Sequence, residues 1–432
     1  MKSITRSTGW IAAILISGAC ASTSPGPAGG PETARRLVPD QPVRDGAGLK
    51  AVCARTPAAD RMACYDANLL AVLKKDGVSS AMRVLDQLSA LDVDAQREGH
   101  MLAHSIGLAA YDGPSKMSSR FRECSPILQS GCYHGVIQAY FVDIADDGGI
   151  DAVSEKQIND LCGDYRASKD GDWLLFQCVH GMGHGLAQLT GHDLRRTLSG
   201  CDKLASPWER DGCFGGAFME NIQEAVAPHH SVGRPDAAGS AEMDHGGMDH
   251  AAMGHGTATA AKLIDPKDPL YPCSDLPDRY LDSCYMMQTS VILHLNGGNF
   301  KDAAATCDKV EDTYRETCYQ SLGRDVSAYT LGDFRRAVTL CANGDPAYQP
   351  WCHTGFVKNV IDVSADYRSG LGYCRVVTRP ADRTACYRAL GEEIAVLNPD
   401  PAARAAACTD VEPAFRSTCL SAAGVREGTR PQ

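Results

Sequence analysis

The sequence predicts an all-α fold, a disulfide-stapled solenoid of helical hairpins with a period of about 34 residues. Three observations carry this. With Cys20 set aside, the 19 cysteines leave eighteen, which fall in order into nine short-range pairs. The second cysteines of the last five pairs follow one another at 34, 34, 34 and 33 residues. Between them runs Ala-rich, helix-favouring text with no strand-like alternation of any length.

The chain opens on an export signal. Lys2 and Arg6 supply positive charge, Trp10 to Ile16 is an apolar run too short to span a bilayer, and Ser17-Gly18-Ala19 is a small-residue cleavage site. Residues 1–19 therefore read as a signal peptide. The string Ile16-Ser17-Gly18-Ala19-Cys20 resembles the bacterial lipobox, although Ser17 stands where Leu is usual. That resemblance implies lipidation at Cys20 and a lipid-anchored protein at the periplasmic or cell-surface side of a membrane; the alternative is ordinary secretion. Residues 20–48, rich in Pro, Gly, Ser and Thr, suit a flexible tether. No later stretch is apolar enough to cross a bilayer.

The expected disulfides join Cys53 with Cys64, Cys124 with Cys132, Cys162 with Cys178, Cys201 with Cys213 and Cys273 with Cys284. They continue as Cys307 with Cys318, Cys341 with Cys352, Cys374 with Cys386 and Cys408 with Cys419. Five of the nine are C-x10-C, whereas zinc ribbons place about two to four residues between ligands. Even, regular spacing in an exported chain points to disulfides in an oxidising compartment. Sequence alone cannot dictate connectivity, but repetition makes nearest-neighbour pairing the economical choice. Formal net charge is −11, and removing Lys2 and Arg6 with the signal makes it −13. Such a chain is a poor partner for nucleic acid or anionic lipid and attracts cations.

The hairpin reads directly in Asn299-Phe-Lys-Asp-Ala-Ala-Ala-Thr-Cys307, a short helix ending on cysteine, followed after a polar loop by Arg315-Glu-Thr-Cys318-Tyr-Gln-Ser-Leu322. It returns as Ala402 to Cys408 with Arg416-Ser-Thr-Cys419, and as Arg383-Thr-Ala-Cys386-Tyr387. Closing such a loop contributes roughly 2.5–3 kcal/mol in the chain-entropy model. The period and the cysteines resemble tetratricopeptide-like solenoids, in particular cysteine-rich secreted ones with one disulfide per hairpin. The usual Trp, Leu-Gly and Pro positions are not obeyed. The resemblance implies a fold and, loosely, a concave face for another extracytoplasmic protein. The expected organisation is helical repeats over 49–227, an insert over 228–268, further repeats over 269–425 and a tail over 426–432.

The 68-residue interval from Cys64 to Cys132 hides one repeat without cysteines, and counting by the period places Glu98 at its cysteine position. Two residues beyond that position stand His100, His134 and His180; six beyond stand His104 and His184. Residues four apart share a helical face, and neighbouring helices pack at about 8–10 Å, so these five imidazoles can converge on one or two transition metals. Gly181, Gly183 and Gly185 interleave with them; each costs about 1 kcal/mol in a helix, which close approach of a backbone or a ligand would offset. The competing expectation is tight helix packing with hydrogen-bonded structural histidines. Glu220 is a candidate carboxylate ligand or base, His192 a peripheral ligand, and His294 and His353 structural or surface residues. No C-x2-C-H is present, so c-type haem is not expected, while bis-histidine haem b stays open.

The insert carries Met243-Asp-His245-Gly-Gly-Met248-Asp-His250-Ala-Ala-Met253-Gly-His255, an M-x-H triplet three times at a period of five. Its Pro, Gly, Ala and Ser content suits disorder. Thioether sulfur favours Cu(I) and imidazole also binds Cu(II), so the alternation suits copper or silver, with His229 and His230 nearby. The string is similar to Met/His-rich segments of periplasmic copper- and silver-resistance proteins, which implies ion capture. No serine elbow, phosphate loop or dinucleotide fingerprint appears. The leading expectation is an extracytoplasmic lipoprotein that binds copper or silver for sequestration or delivery. The rivals are a metal- or haem-dependent enzyme using the histidine cluster, and a protein-interaction scaffold with structural histidines.

Overall fold

The computed structural model describes residues 43–145, 149–151, 153–166, 172–226 and 262–425. Within these residues the architecture is all-helical, with a single isolated bridge between Asp265 and Asp268. All nine expected disulfides are present. Cys53 is bonded to Cys64, Cys124 to Cys132, Cys162 to Cys178, Cys201 to Cys213 and Cys273 to Cys284. Cys307 is bonded to Cys318, Cys341 to Cys352, Cys374 to Cys386 and Cys408 to Cys419. Their Cα atoms stand 5.5–5.9 Å apart. The pair Cys162 with Cys178 closes the longest loop, at a separation of 16, and so departs from the C-x10-C spacing without changing partners. Peptide mapping of unreduced protein should recover these nine local bridges, and several long-range bridges would contradict the hairpin architecture.

Most hairpins have an outer helix and an inner one; ahead of the helix that carries Cys284, the first cysteine opens only the 3-10 turn Cys273–Asp275. Outer helices Gly46–Cys53, Leu194–Cys201, Phe300–Cys307, Phe334–Cys341, Tyr367–Cys374 and Pro401–Cys408 are all eight residues long and end on a first cysteine. Their starts are chemically marked: Asp45, Asp193, Asn299, Asp333, Asp366 and Asp400 each accept a backbone N–H of the first turn. The disulfide then fixes the corner into the inner helix, where the second cysteine sits; Cys178, Cys284 and Cys386 are all buried there. The first outer helix begins inside the stretch read as tether.

We number the inner helices α1 Arg61–Asp76, α2 Gly99–Ala110, α3 Gly131–Ala145, α4 Asp172–Leu189, α5 Pro207–Val226, α6 Leu281–Leu295, α7 Asp312–Thr330, α8 Gln349–Ser364, α9 Pro380–Leu397 and α10 Arg416–Ala422. They stack on one another at backbone distance. A Cβ on Gly183, Gly323 or Gly391 would lie only 2.2, 1.9 or 2.5 Å from the carbonyl oxygen of Cys213, Cys352 or Cys419 on the next inner helix. Each of these glycines stands five residues after its own cysteine, which is Cys178, Cys318 or Cys386. In return, Gly216 and Gly355, three residues after theirs, lie against the carbonyls of His180 and Gln320 on the preceding helix. The interleaved glycines are thus where helix backbones touch.

This contact pattern corrects the register of the repeat without cysteines. Gly107 meets the Cys132 carbonyl and Gly135 meets the His104 carbonyl, which places Leu102, not Glu98, at the cysteine position. Glu98 lies outside the helix, as the residue before Gly99. Hairpin linkers vary in length, and with no disulfide to mark the corner a four-residue slip leaves the helical face unchanged. His104, rather than His100, is therefore the equivalent of His134 and His180, and His100 sits one turn earlier.

The stack also departs from a solenoid whose repeats touch only their neighbours. Leu128 donates its N–H to the Val363 carbonyl (2.8 Å), and Gln129 Nε2 donates to Asn359 Oδ1 (2.7 Å). Helix α4 also touches α9. The superhelix curls until the loop before α3 rests on the end of α8. Leu128, Gln129 and Ser130 all take left-handed φ (56°, 53° and 60°), a conformation costing about 1–2 kcal/mol for each such residue.

Inside the C-terminal half, Lys358 on α8 pairs with Glu392 on α9 (2.7 Å) and stands 3.9 Å from Glu393. Burial, opposed by Lys358, pushes Glu393 up to about 7. A folded-state value for Glu393 above the ordinary 4.5 means that folding favours the protonated acid. That contribution is present below pH 4.5 and is lost as pH rises to about 7. Glu393→Gln should therefore gain stability over wild type between about pH 4.5 and 8, by up to about 3 kcal/mol, read from urea midpoints. A pH-independent difference would contradict it.

Candidate functional site

Helices α2 to α5 bring a cluster of histidines together in the stack; a second buried polar group, Thr289, Ser321 and Asp325, lies between α6 and α7. α2 supplies His100 and His104, α3 His134, α4 His180 and His184, and α5 Glu220, and all six side chains are buried. Ring centroids lie 4.8 Å apart for His134 and His180, 5.0 Å for His134 and His184, and 5.4 Å for His180 and His184. His100 lies 5.5 Å from His134 and 6.1 Å from His104, which is 5.9 Å from His184. All five expected histidines thus converge. One nitrogen from each of His134, His180 and His184 lies within 4.8 Å of the other two.

Surrounding acceptors decide which nitrogen of His100, His134 and His184 carries its proton. His100 Nδ1 is 3.1 Å from the Leu128 carbonyl, which can only accept, so Nδ1 donates and Nε2 holds a lone pair. His184 Nδ1 donates to Glu220 Oε2 at 2.7 Å, so a neutral ring keeps its lone pair on Nε2. His134 Nε2 donates to Gln177 Oε1 at 3.3 Å, so its Nδ1 is the bare nitrogen. His100 Nε2, His134 Nδ1 and His180 Nδ1 are buried without a hydrogen-bond partner. An unsatisfied buried acceptor costs about 1–3 kcal/mol, and three such atoms in one cluster need a common explanation.

A bound cation would supply one. Imidazole binds zinc at about 2.0–2.1 Å, so three ligands of one ion stand roughly 3.5 Å apart, and the set within 4.8 Å would close by about 1 Å on binding. The Glu220–His184 pair has the form of a carboxylate that orients a metal-bound imidazole, and Gln177 and the Leu128 carbonyl do the same for His134 and His100. Neutral rings are what a metal requires. Burial, reinforced by the neighbouring His180 and His184, holds His134 well below the ordinary imidazole range. Burial and then His184 do the same to His180, and burial lowers His100 against the opposing Leu128 bond.

Glu220 joins the cluster through His184, with Gln188 Nε2 donating to its other oxygen at 3.4 Å. Gln177 was legible as the residue three before His180 on one helical face; the Leu128 carbonyl was not, because it depends on a left-handed turn. His192 sits in such a turn after α4 (φ 60°), apart from the rings. His294 is exposed on α6. His353 is buried on α8, with Nδ1 2.6 Å from Tyr373 Oη and Nε2 3.5 Å from Asp382. Cys20, His229, His230 and the run Met243, His245, Met248, His250, Met253 and His255 lie outside the described residues.

No helix among the described residues is long and apolar enough to cross a membrane. The nine disulfides suit an oxidising, extracytoplasmic environment. No protein-family model, curated protein or solved structure matches this chain.

Proposed function

We propose that this chain is an extracytoplasmic protein that binds copper or silver ions for sequestration or delivery, with an ordered site at His134, His180 and His184 and with His100 and His104 beside it. The observation that carries the reading is the convergence of five buried imidazoles, among which His100 Nε2, His134 Nδ1 and His180 Nδ1 have no hydrogen-bond partner, with one nitrogen each of His134, His180 and His184 within 4.8 Å of one another. The crowding of the rings favours an ion over haem: His180 stands 4.8 Å from His134 and 5.4 Å from His184, where a macrocycle between axial ligands would lie. The M-x-H run from Met243 to His255 supports copper or silver as the metal and adds a second, exchangeable site. The lipobox-like string at Cys20 supports a lipid anchor, and the solenoid face suits a partner that receives or supplies the ion.

Anaerobic Cu(I) titration under a competing chelator tests the reading, on the full chain and on a form lacking residues 240–256. The deletion should remove about three weaker equivalents, one per triplet, and leave helicity and melting nearly unchanged. One tight equivalent should survive. Its absence from the deleted form would end the buried-site reading.

A further inference from the structure

We infer that the buried histidine site selects a monovalent cation, Cu(I) or Ag(I), over divalent ions, because among the described residues Glu220 is the one buried acid against the rings and no lysine or arginine is buried. The inference rests on the metal-binding reading above and names the charge of the ion. Four acids are buried among the described residues, namely Glu209, Glu220, Asp325 and Asp382, and only Glu220 touches the rings. Glu209 is spent on Arg166, which holds both its oxygens at 2.8 and 2.7 Å. No lysine or arginine is buried among the described residues. Neutral groups that meet the rings include Gln177, the Leu128 carbonyl, the Phe176 ring and, through Glu220, Gln188.

With the imidazoles neutral, as metal binding requires, five rings and one carboxylate carry a single negative charge. A monovalent ion brings the buried site to zero, and a divalent ion leaves one positive charge over. An uncompensated charge surrounded by low-dielectric protein is strongly disfavoured, and that penalty grows with the square of the net charge. Exposed divalent sites escape it by recruiting anions and water. Here the rings are buried and pack against one another. Three imidazole nitrogens also suffice for a low-coordinate monovalent ion, whereas zinc, equally d10, generally takes a fourth ligand.

Silver(I) and zinc(II) are the probes, since neither changes oxidation state. Both are titrated into the full chain and into the full chain carrying His134→Ala and His180→Ala, and the difference isolates the buried site from the M-x-H run. Equilibrium dialysis with metal analysis should show Ag(I) held at least about a hundredfold more tightly than Zn(II) at that site. Adding a second negative charge should invert the trend. Gln177→Glu keeps an acceptor for His134, and Gln188→Glu adds the charge from a partly exposed position that folding tolerates. Either should move the Ag(I)/Zn(II) ratio towards zinc by about tenfold or more. Comparable binding of both ions in the wild-type site, or a ratio that neither variant moves, overturns the selectivity while leaving a metal site in place. If neither ion binds at the isolated site, the metal-binding reading itself fails, and the selectivity with it.

Discussion

Gly216→Ala should destabilise the protein by about 3 kcal/mol or more and should abolish the tight metal site together with it. The added Cβ would stand 1.9 Å from the His180 carbonyl oxygen and 2.9 Å from its carbon. Both atoms are backbone of α4, so no rotamer change relieves the clash. Helices α4 and α5 must separate, which pulls Glu220 away from His184. The better helix propensity of alanine, about 1 kcal/mol, opposes this and is too small to win. Gly163→Ala is the control, because a Cβ there meets nothing within 4 Å. Urea unfolding of the two oxidised variants, followed by near-ultraviolet circular dichroism, checks the difference. Equal midpoints would sink the account of backbone-to-backbone stacking.

The same contact explains why so much of the fold was legible and why one register was not. Nine cysteine pairs mark nine corners, and each capping Asp or Asn marks where an outer helix starts, so the hairpins are written as local text. The hairpin of α2 has no cysteine. Counting by the period places Glu98 at its corner, while the glycine contacts place Leu102 there. The expectation that five histidines share a face holds because a slip of four residues is one turn and keeps the face. Its detailed reason, two equivalent positions in three repeats, does not: His100 sits a turn before the shared position and His184 a turn after it.

What the sequence could not show depends on distant parts of the chain. Closure of the superhelix links Gln129 to Asn359, 230 residues away, by a bond that no local pattern announces. The same closure seats Leu128, whose carbonyl fixes the tautomer of His100. Glu220 stands out little among the acids of the chain until the fold sets it against His184. The interleaved glycines have two readings, helix packing and ligand approach. Packing accounts for Gly181, Gly183 and Gly185 directly, since their nearest neighbours are His134, Cys213 and Phe141. The case for a metal therefore rests on the imidazole nitrogens alone.

Those nitrogens make the second large prediction. His180→Ala and His184→Ala should each abolish the tight metal equivalent, and the double variant should bind no worse than either single one. Ligands of one ion act as a unit, so the two losses are not additive. The pH profile supplies an independent readout. A histidine in water takes up a proton near pH 6.5, but burial holds His134 and His180 well below that. Protons compete for a ligand only below its own value, so affinity at the buried site should hold as pH falls through about 6.5 and decline at lower pH. The metal-free protein should respond to the same depression in its stability. Its unfolded chain gains protons below about pH 6.5 that the buried rings refuse, so stability should fall as pH drops through that point, and His134→Ala should flatten the fall. Structural histidines would behave otherwise. Each alanine change would then cost about 1–3 kcal/mol through orphaned partners such as Glu220 and Gln177, with metal content unaltered. Metal analysis and calorimetry on the two single variants and the double variant separate the cases, and retained metal in the double variant would rule out a shared ion.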